Sequence, residues 1–419
     1  MKEITQSYYK KFKLKLSPIT TFRTMILNRA PWTPGKYLNG NLIELIRSGK
    51  GYFDRLENLI NIAQQEIYLQ CYILKDDETG KGIIESLIRA TQKGVKVWIL
   101  LDAFGSNDLH HNTLDKLKKA GIEVLFYGRF YLNGKVHFGR RLHHKIISID
   151  GIRAIVGGIN ISNDYNDIRK NPPWLDFAVE VSGPIAGKLH SICRKFQVRT
   201  LRQYSIQNFK SKQLHKSPVF ENASLVAIVQ NDYRRGKNQI AKTYRQAIRQ
   251  ATTTIDIAGA YFLPGRRMRN FLKEAIARGV KIRLIFPGKS DVWLAAHART
   301  YLYDWLLRNK IEIYEYQPAN VHAKVLLTDS NFISIGSFDL NNLSTYSNIE
   351  LNLNIHDFNL GNQIMKEFDA IINNECKRIT SAVHQQHENW WGKLISWSSY
   401  RLVKSLFYLS WKMARVSEK

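Results

Sequence analysis

The sequence predicts a duplicated α/β protein. Each of its two halves is a mostly parallel sheet flanked by helices, and a C-terminal amphipathic helix follows. Three observations carry this expectation. Strand and helix patterns alternate from about residue 60 onward. The same run of patterns returns in the second half of the 419-residue chain. One set of charged residues returns with it at matching places.

The elements follow in order. Glu66 to Ile73 is rich in β-branched and aromatic residues and reads as a strand. Lys81 to Lys93 reads as a helix, with Ile84, Leu87 and Ile88 apolar at helical spacing and Gly94 as its stop. Val95 to Leu101 is the next strand. Thr254 to Tyr261, Met268 to Arg278 and Gly279 to Ile285 repeat that series, and Gly94-Val95-Lys96-Val97 recurs as Gly279-Val280-Lys281-Ile282. Gly121-Ile122-Glu123-Val124 likewise resembles Lys310-Ile311-Glu312-Ile313. A repeat this long marks a duplicated domain, not a short-period solenoid. The divisions expected are a basic arm at 1–40, a first domain at 41–200, a linker at 201–223, a second domain at 224–375 and a helical tail at 376–419.

Composition limits the function classes. Apolar residues make up 44%, which excludes a disordered chain. With 62 Lys and Arg against 35 Asp and Glu, the net charge of +27 favours a polyanionic partner: nucleic acid, an anionic membrane surface or a phosphate-bearing substrate. The three cysteines, Cys71, Cys193 and Cys376, are far apart and form no C-x-x-C, so neither a disulfide framework nor a zinc ribbon is expected. No apolar stretch has the length of a signal peptide core or of a spanning helix.

The chemistry lies in two constellations. His143-His144-Lys145 runs to Asp150 and is followed by Gly157-Gly158-Ile159-Asn160. His322-Ala323-Lys324 runs to Asp329 and is followed by Gly336-Ser337-Phe338-Asp339. Both are H-x-K-x4-D, then six residues, then G-G or G-S, and the second copy starts 179 residues after the first (143 to 322). His and Lys two apart on a strand share one face. Each copy thus presents an imidazole beside an ammonium, a pairing better suited to a phosphate oxyanion than to a metal. The glycines would let a neighbouring strand or the substrate come close. Two copies about a pseudo-two-fold axis would let one histidine attack phosphorus while the other protonates the leaving oxygen.

The paired motifs resemble the phospholipase D superfamily over roughly residues 40–372 and, more narrowly, bacterial cardiolipin synthases. Pro173-Trp174-Leu175-Asp176 with Gly183-Pro184, and Asn348-Ile349-Glu350-Leu351, support the resemblance. It implies catalytic roles for His143, Lys145, His322 and Lys324. Asp150 and Asp329 belong to the same motif, although an internal structural role suits them better. It also implies a carboxylate downstream of each histidine: Asp176, 33 residues on (143 to 176), and Glu350, 28 residues on (322 to 350). Each would fix an imidazole tautomer and stabilise its cation. Asn160 would help Lys145 and Lys324 hold the phosphate. The family has Asn where the second half has Asp339. A carboxylate there would repel a phosphodiester unless protonated or turned away, so Asn341 or Asn342 is the expected substitute and Asp339 is left outside the site.

The implied activity is transfer of a phosphatidyl group from one phosphatidylglycerol to another through a phosphatidyl-histidine. His143 attacks and His322 acts as acid and then base, or the two roles are exchanged. No cofactor and no metal are called for. Phosphatidylethanolamine as donor, and glycerol or water as acceptor, stay open. The rival reading is a phosphodiesterase acting on nucleic acid or hydrolysing phospholipid, but no nucleic-acid module is present and nucleic acid is not an expected partner. His110 and His111, and the set His137, His143 and His144, lack thiolates or carboxylates at ligand spacing. Ser162 lacks a nucleophile elbow. Asp102, Gly105 and Ser106 end a strand at the face where such sheets bind ligands.

Residues 390–419 carry four of the nine tryptophans. On a helix, Ile395, Leu402, Val403, Leu406, Leu409 and Met413 share one face, roughly opposite Lys393, Arg401, Lys404, Lys412 and Arg415. That pattern points to an interfacial helix, with Trp397, Leu402, Leu406 and Trp411 entering an anionic membrane surface on the cytoplasmic side. The alternative is a helix packed on its own domain.

Overall fold

The computed structural model describes residues 33–129, 131–132, 135–136, 140–168, 172–203, 217–221, 223–387 and 390–416. The basic arm up to residue 32 and most of the 201–223 stretch lie outside them. The first half runs β1 (Leu38–Arg47), α1 (Lys50–Asn61), β2 (Glu66–Cys71), α2 (Glu78–Gln92), β3 (Lys96–Asp102), α3 (His111–Lys119), β4 (Glu123–Tyr127), β5 (Lys145–Ile149), β6 (Arg153–Gly157), β7 (Phe177–Ser182) and α4 (Pro184–Gln203). The second half runs β8 (Ser224–Asp232), α5 (Gln239–Gln250), β9 (Thr254–Gly259), α6 (Arg266–Ala277), β10 (Lys281–Pro287), α7 (Trp293–Thr300), α8 (Tyr303–Arg308), β11 (Glu312–Tyr316), β12 (Lys324–Thr328), β13 (Phe332–Gly336), α9 (Asn342–Tyr346), β14 (Glu350–His356) and α10 (Phe358–Glu375).

Each half has the expected α/β architecture, although its sheet is parallel only in part. The predicted strands are present, and they form a parallel run where helices cross over: β2-β3-β4 in one half and β9-β10-β11 in the other. The strands carrying the motif join that run antiparallel, as β2-β5-β6-β7-β1 and β9-β12-β13-β14-β8. The reason is local. Asp150 and Gly151 adopt left-handed conformations (φ 54° and 71°), as do Asp329 and Ser330 (both 51°), and turn the chain straight back. Such short returns leave no room for a crossover.

The halves join through an antiparallel pairing of β1 with β8, with Leu38 opposite Val226, so one sheet runs through both. One apolar core is shared, including Val156, Phe177 and Val179 from the first half and Val325, Ile335 and Leu353 from the second. The segment after residue 375 is not wholly helical. Cys376–Ile379 forms a strand, β15, on the edge of the second half beside β11, and the helices α11 (Ser381–His387) and α12 (Trp390–Val416) follow.

Candidate active site

Each histidine is positioned by the half to which it does not belong. Leu142 bridges Ile349, where the His143 N–H donates to the Ile349 carbonyl at 3.0 Å and the Ile349 N–H to the Arg141 carbonyl at 2.8 Å. Leu175 bridges Val321, and the His322 N–H donates to the Leu175 carbonyl at 2.8 Å. Ile349 immediately precedes Glu350, and Leu175 immediately precedes Asp176. The bridges therefore cross the carboxylates. His143 Nδ1 lies 3.0 Å from Glu350 Oε2, and His322 Nδ1 lies 2.8 Å from Asp176 Oδ2. This corrects the expectation from sequence, which assigned Asp176 to His143 and Glu350 to His322 on the basis of order along the chain.

The ammonium groups turn back along their own strands. Lys145 Nζ donates to the His143 carbonyl at 2.7 Å, and Lys324 Nζ donates to the His322 carbonyl. Both lysines are buried. Burial, with Lys324 nearby, pushes Lys145 down to about 8. The glycines act as expected. A Cβ on Gly157 would strike Ala178, and one on Gly336 would strike the Leu351 carbonyl, so β6 and β13 can lie flush against the carboxylate-bearing strands. A Cβ on Gly158 would meet Asp176 Oδ2 at 2.5 Å.

The two histidine pairs differ electrically. His322 is buried between Tyr165 and Trp174, with ring centroids 5.5 Å and 6.3 Å away. Burial, with the charges of Lys324 and Lys145, drives its pKa far below the ordinary imidazole value. Burial also lifts Asp176 to about 7, against the pull of Lys324. The pair thus favours its neutral forms. Burial pushes Glu350 up as well, but His143 and the Ser337 hydroxyl, which donates at 2.5 Å, outweigh it and hold the carboxylate below its usual range. Asn348 Nδ2 donates to the other oxygen at 3.1 Å.

Two motifs of this kind, repeated and interlocked, agree with the comparisons. The family model described as "Cardiolipin synthase, PLD-like domain" matches residues 56–172 and 244–372, more than half of the chain. The chain belongs to the cardiolipin synthase PLD-like domain family. It is an enzyme of the phospholipase D superfamily. Cardiolipin synthase B of Salmonella typhi is 33% identical over 356 residues, covering 84% of this chain and 85% of the relative. The protein of that name in Escherichia coli K12 is 31% identical over 358 residues, again covering 84% and 85%. Among solved structures, phosphatidylserine synthase of Haemophilus influenzae Rd KW20 shares the fold with a TM-score of 0.66, 15% identity, and coverage of 88% of this chain and 95% of that one.

Other residues singled out from the sequence are placed differently in this member of the family. Asp150 accepts the backbone N–H groups of Gln64, Gln65 and Glu66 at 2.7–2.9 Å, and Asp329 accepts those of Thr252, Thr253 and Thr254 at 2.8–3.2 Å. Each sits at the far end of a five-residue strand, roughly 16 Å from the lysine that begins it. They pin the start of β2 and β9 and stand apart from the histidine–lysine cluster. Asn160 does not face the site as a free donor. Its Oδ1 accepts from Ile73 N at 3.2 Å and its Nδ2 donates to the Tyr165 hydroxyl at 3.0 Å, so it sets the ring beside His322. Asp102 accepts the Leu142 N–H at 2.8 Å and fixes the approach to His143. Ser106 accepts from Leu74 N at 3.1 Å and donates to the Tyr72 carbonyl at 3.0 Å. His144 points into the core beside Gln70, at 2.8 Å, and burial lowers it to about 3.

Asp339 was left outside the site by the sequence reading, yet it lies within it, Oδ1 3.7 Å from Lys324 Nζ. Asn341 does not replace it: that side chain caps α9 by accepting from Ser344 N at 2.9 Å. The signal was already in the repeat, since Asp339 occupies the same motif position as Asn160.

The tail helix α12 packs on α7 and touches α9. Its docked edge is not its most apolar one. Ser396, Ser399 and Val403 are buried and Tyr400 packs on Tyr301 at 4.7 Å, while Ile395, Leu402, Leu406 and Leu409 are exposed together with Trp390, Trp391 and Trp397. Serines let the helix axes approach closely and leave the leucines on the outside. The side chains of Trp411 and Met413 lie outside the described residues. Among the described residues, no helix is long and apolar enough to cross a membrane.

Proposed function

We propose that the protein is a phosphatidyltransferase that forms cardiolipin from two phosphatidylglycerol molecules, or from phosphatidylglycerol and another phospholipid, through a phosphatidyl-histidine. The observation that carries this reading is the pair of histidine–carboxylate couples, each with a buried lysine two residues on. The ring nitrogen of one histidine attacks phosphorus, the bond to the headgroup oxygen breaks, and the other histidine gives that oxygen its proton. The second histidine then takes the proton of the incoming hydroxyl. The new P–O bond forms, the P–N bond breaks, and both rings return to their starting state. Lys145 and Lys324 neutralise the phosphoryl oxygens in a water-poor site.

From sequence, His143 is the nucleophile. The environment of His322 favours the exchanged roles as a second reading, because a ring held neutral keeps a lone pair free to attack. Labelled phosphatidylglycerol in mixed micelles, with adduct trapping in His143→Ala and His322→Ala, distinguishes the two. The nucleophile's variant gives no adduct and the partner's variant accumulates or slowly forms it. Cardiolipin formation undiminished in both variants would refute the mechanism. Plasmid cleavage without lipid turnover would favour the nucleic-acid phosphodiesterase instead.

The exposed apolar arc of α12, flanked by Lys393, Arg401 and Lys404, supports peripheral attachment to an anionic membrane surface; the side we propose is the cytoplasmic one. Attachment through this arc would bring the domain to its lipid substrates without a spanning segment.

A further inference from the structure

The two halves of the site differ most at the motif position occupied by Asn160 in one and Asp339 in the other. Both polar atoms of the Asn160 side chain are hydrogen-bonded, as described. Asp339 is 5% exposed, and its Oδ1 has no hydrogen-bond partner. Its main chain is fixed: the N–H donates to Ser344 Oγ at 3.4 Å and the carbonyl accepts from Asn341 N at 2.7 Å. The carboxylate, 3.7 Å from Lys324 Nζ, therefore cannot swing away with its loop. It borders a cavity of about 10 Å³ shared with Lys324, Tyr244, Tyr261 and Phe262, roughly the room one water needs.

The charged and titratable groups acting on this carboxyl come from every element around it. Lys324 of β12 and Lys145 of β5 are cationic, and His143 precedes β5. Glu350 of β14 and Asp176, just before β7, are acidic, and the phenols of Tyr244 on α5 and Tyr261 complete the set. A phosphodiester held by the two ammonium groups would compete with Asp339 for Lys324, and an ionised Asp339 would then face a second anion with its compensating cation withdrawn. Asn at this place avoids the conflict by having no charge.

We propose that Asp339 takes up a proton from solvent when the phosphodiester binds, and that its O–H then donates to a phosphoryl oxygen, so that substrate affinity is linked to pH. Burial already pushes this carboxyl above its ordinary value, against Lys324 and His143, so the uptake starts from a group that ionises reluctantly. The sign follows from the stoichiometry. The complex holds one proton that free enzyme lacks above the Asp339 pKa, so KM rises with pH there, by about tenfold per unit at the limit. The inference rests on the proposed phosphodiester site and not on any particular lipid.

The test measures KM against pH, between about 5 and 7 so that Lys145, held near 8, stays charged, for the wild type and Asp339→Asn. The probes are bis(p-nitrophenyl) phosphate, which does not titrate in that range, and phosphatidylglycerol in mixed micelles. The expected result is a KM that rises more steeply with pH in the wild type than in D339N, whose amide donates at every pH, any slope from Asp176 being common to both. Equal slopes in the two proteins overturn the proposal, as does a D339N that only lowers kcat at every pH, since that is what a structural role gives. Should D339N fail to fold, calorimetry of the wild type with dimethyl phosphate in two buffers of different ionisation enthalpy counts the protons directly. Uptake approaching one per ligand supports the proposal and none refutes it. Normal pH-linked cleavage of the chromogenic diester without cardiolipin formation would overturn the lipid reading and leave this one standing.

Discussion

Replacing Glu350 by Gln keeps the size of the side chain and removes its charge. In the wild type one oxygen faces His143 Nδ1 at 3.0 Å and the Ser337 hydroxyl at 2.5 Å, while the other accepts from Asn348 at 3.1 Å. Glutamine offers a single acceptor oxygen, so one of these donors must face an N–H group. A charge-assisted bond in a buried setting contributes about 1.5–3 kcal/mol. If that stabilisation is lost whenever His143 becomes an imidazolium, turnover falls by roughly 10–150-fold. Steady-state turnover of a phosphodiester at neutral pH measures this, with thermal melting to show that the fold is kept. Nitrogen-15 NMR of the imidazole rings adds the decisive control. The His143 ring signals should move in E350Q and stay in Asp176→Asn, whereas the His322 signals should do the reverse. A loss of turnover under about threefold, or a His143 ring that responds to Asp176 and not to Glu350, would refute the crossed pairing.

Three further outcomes are expected. Gly158→Ala suits the local backbone but drives a methyl into the Asp176 carboxylate, so turnover should drop by up to about 100-fold with melting nearly unchanged; an active G158A would show that the carboxylate position does not matter. Asp329→Asn should cost about 2 kcal/mol in denaturant unfolding while sparing the activity of the folded protein. Burial raises this carboxyl's pKa but the bonds from Thr252, Thr253 and Thr254 lower it below its unfolded value. The stability difference is therefore full above the unfolded value of about 3.9 and vanishes as pH falls through the folded one; activity lost ahead of stability would restore a catalytic role. Leu402→Asp with Leu406→Asp should abolish flotation with anionic vesicles, while raised salt should only weaken the wild type, because the apolar part of the attachment is not screened; a double variant that still floats would leave α12 as a packing helix only.

Much of the site was legible because its signal is local. The His-x-Lys spacing on a strand fixes a shared face, and the repeat made coincidence untenable for His143, Lys145, His322 and Lys324. The crossing of Asp176 and Glu350 was not legible, since order along the chain says nothing about which half a loop leans on. Two parallel bridges between loops, Leu142 with Ile349 and Leu175 with Val321, decide it. The antiparallel strands around the motif were hidden for a related reason: buried strands look alike in either direction, and the left-handed Asp329–Ser330 turn has no glycine to announce it. The docked edge of α12 escaped because Ser396 and Ser399 are not apolar, although small residues pack helices closely. Asp339 was set aside for its charge, and that charge is what makes it informative.

The exchange of carboxylates between the halves has a consequence for how such a chain can change. Neither half holds both members of a histidine–carboxylate pair, so cutting the gene at the linker would leave both pairs broken until the products met again. A substitution at Glu350 removes the partner of a histidine encoded some two hundred codons earlier. Position 160 and its counterpart 339, whose hydrogen-bond and ion-pair partners lie in their own halves, carry no such obligation, and there the centre has two unlike sides.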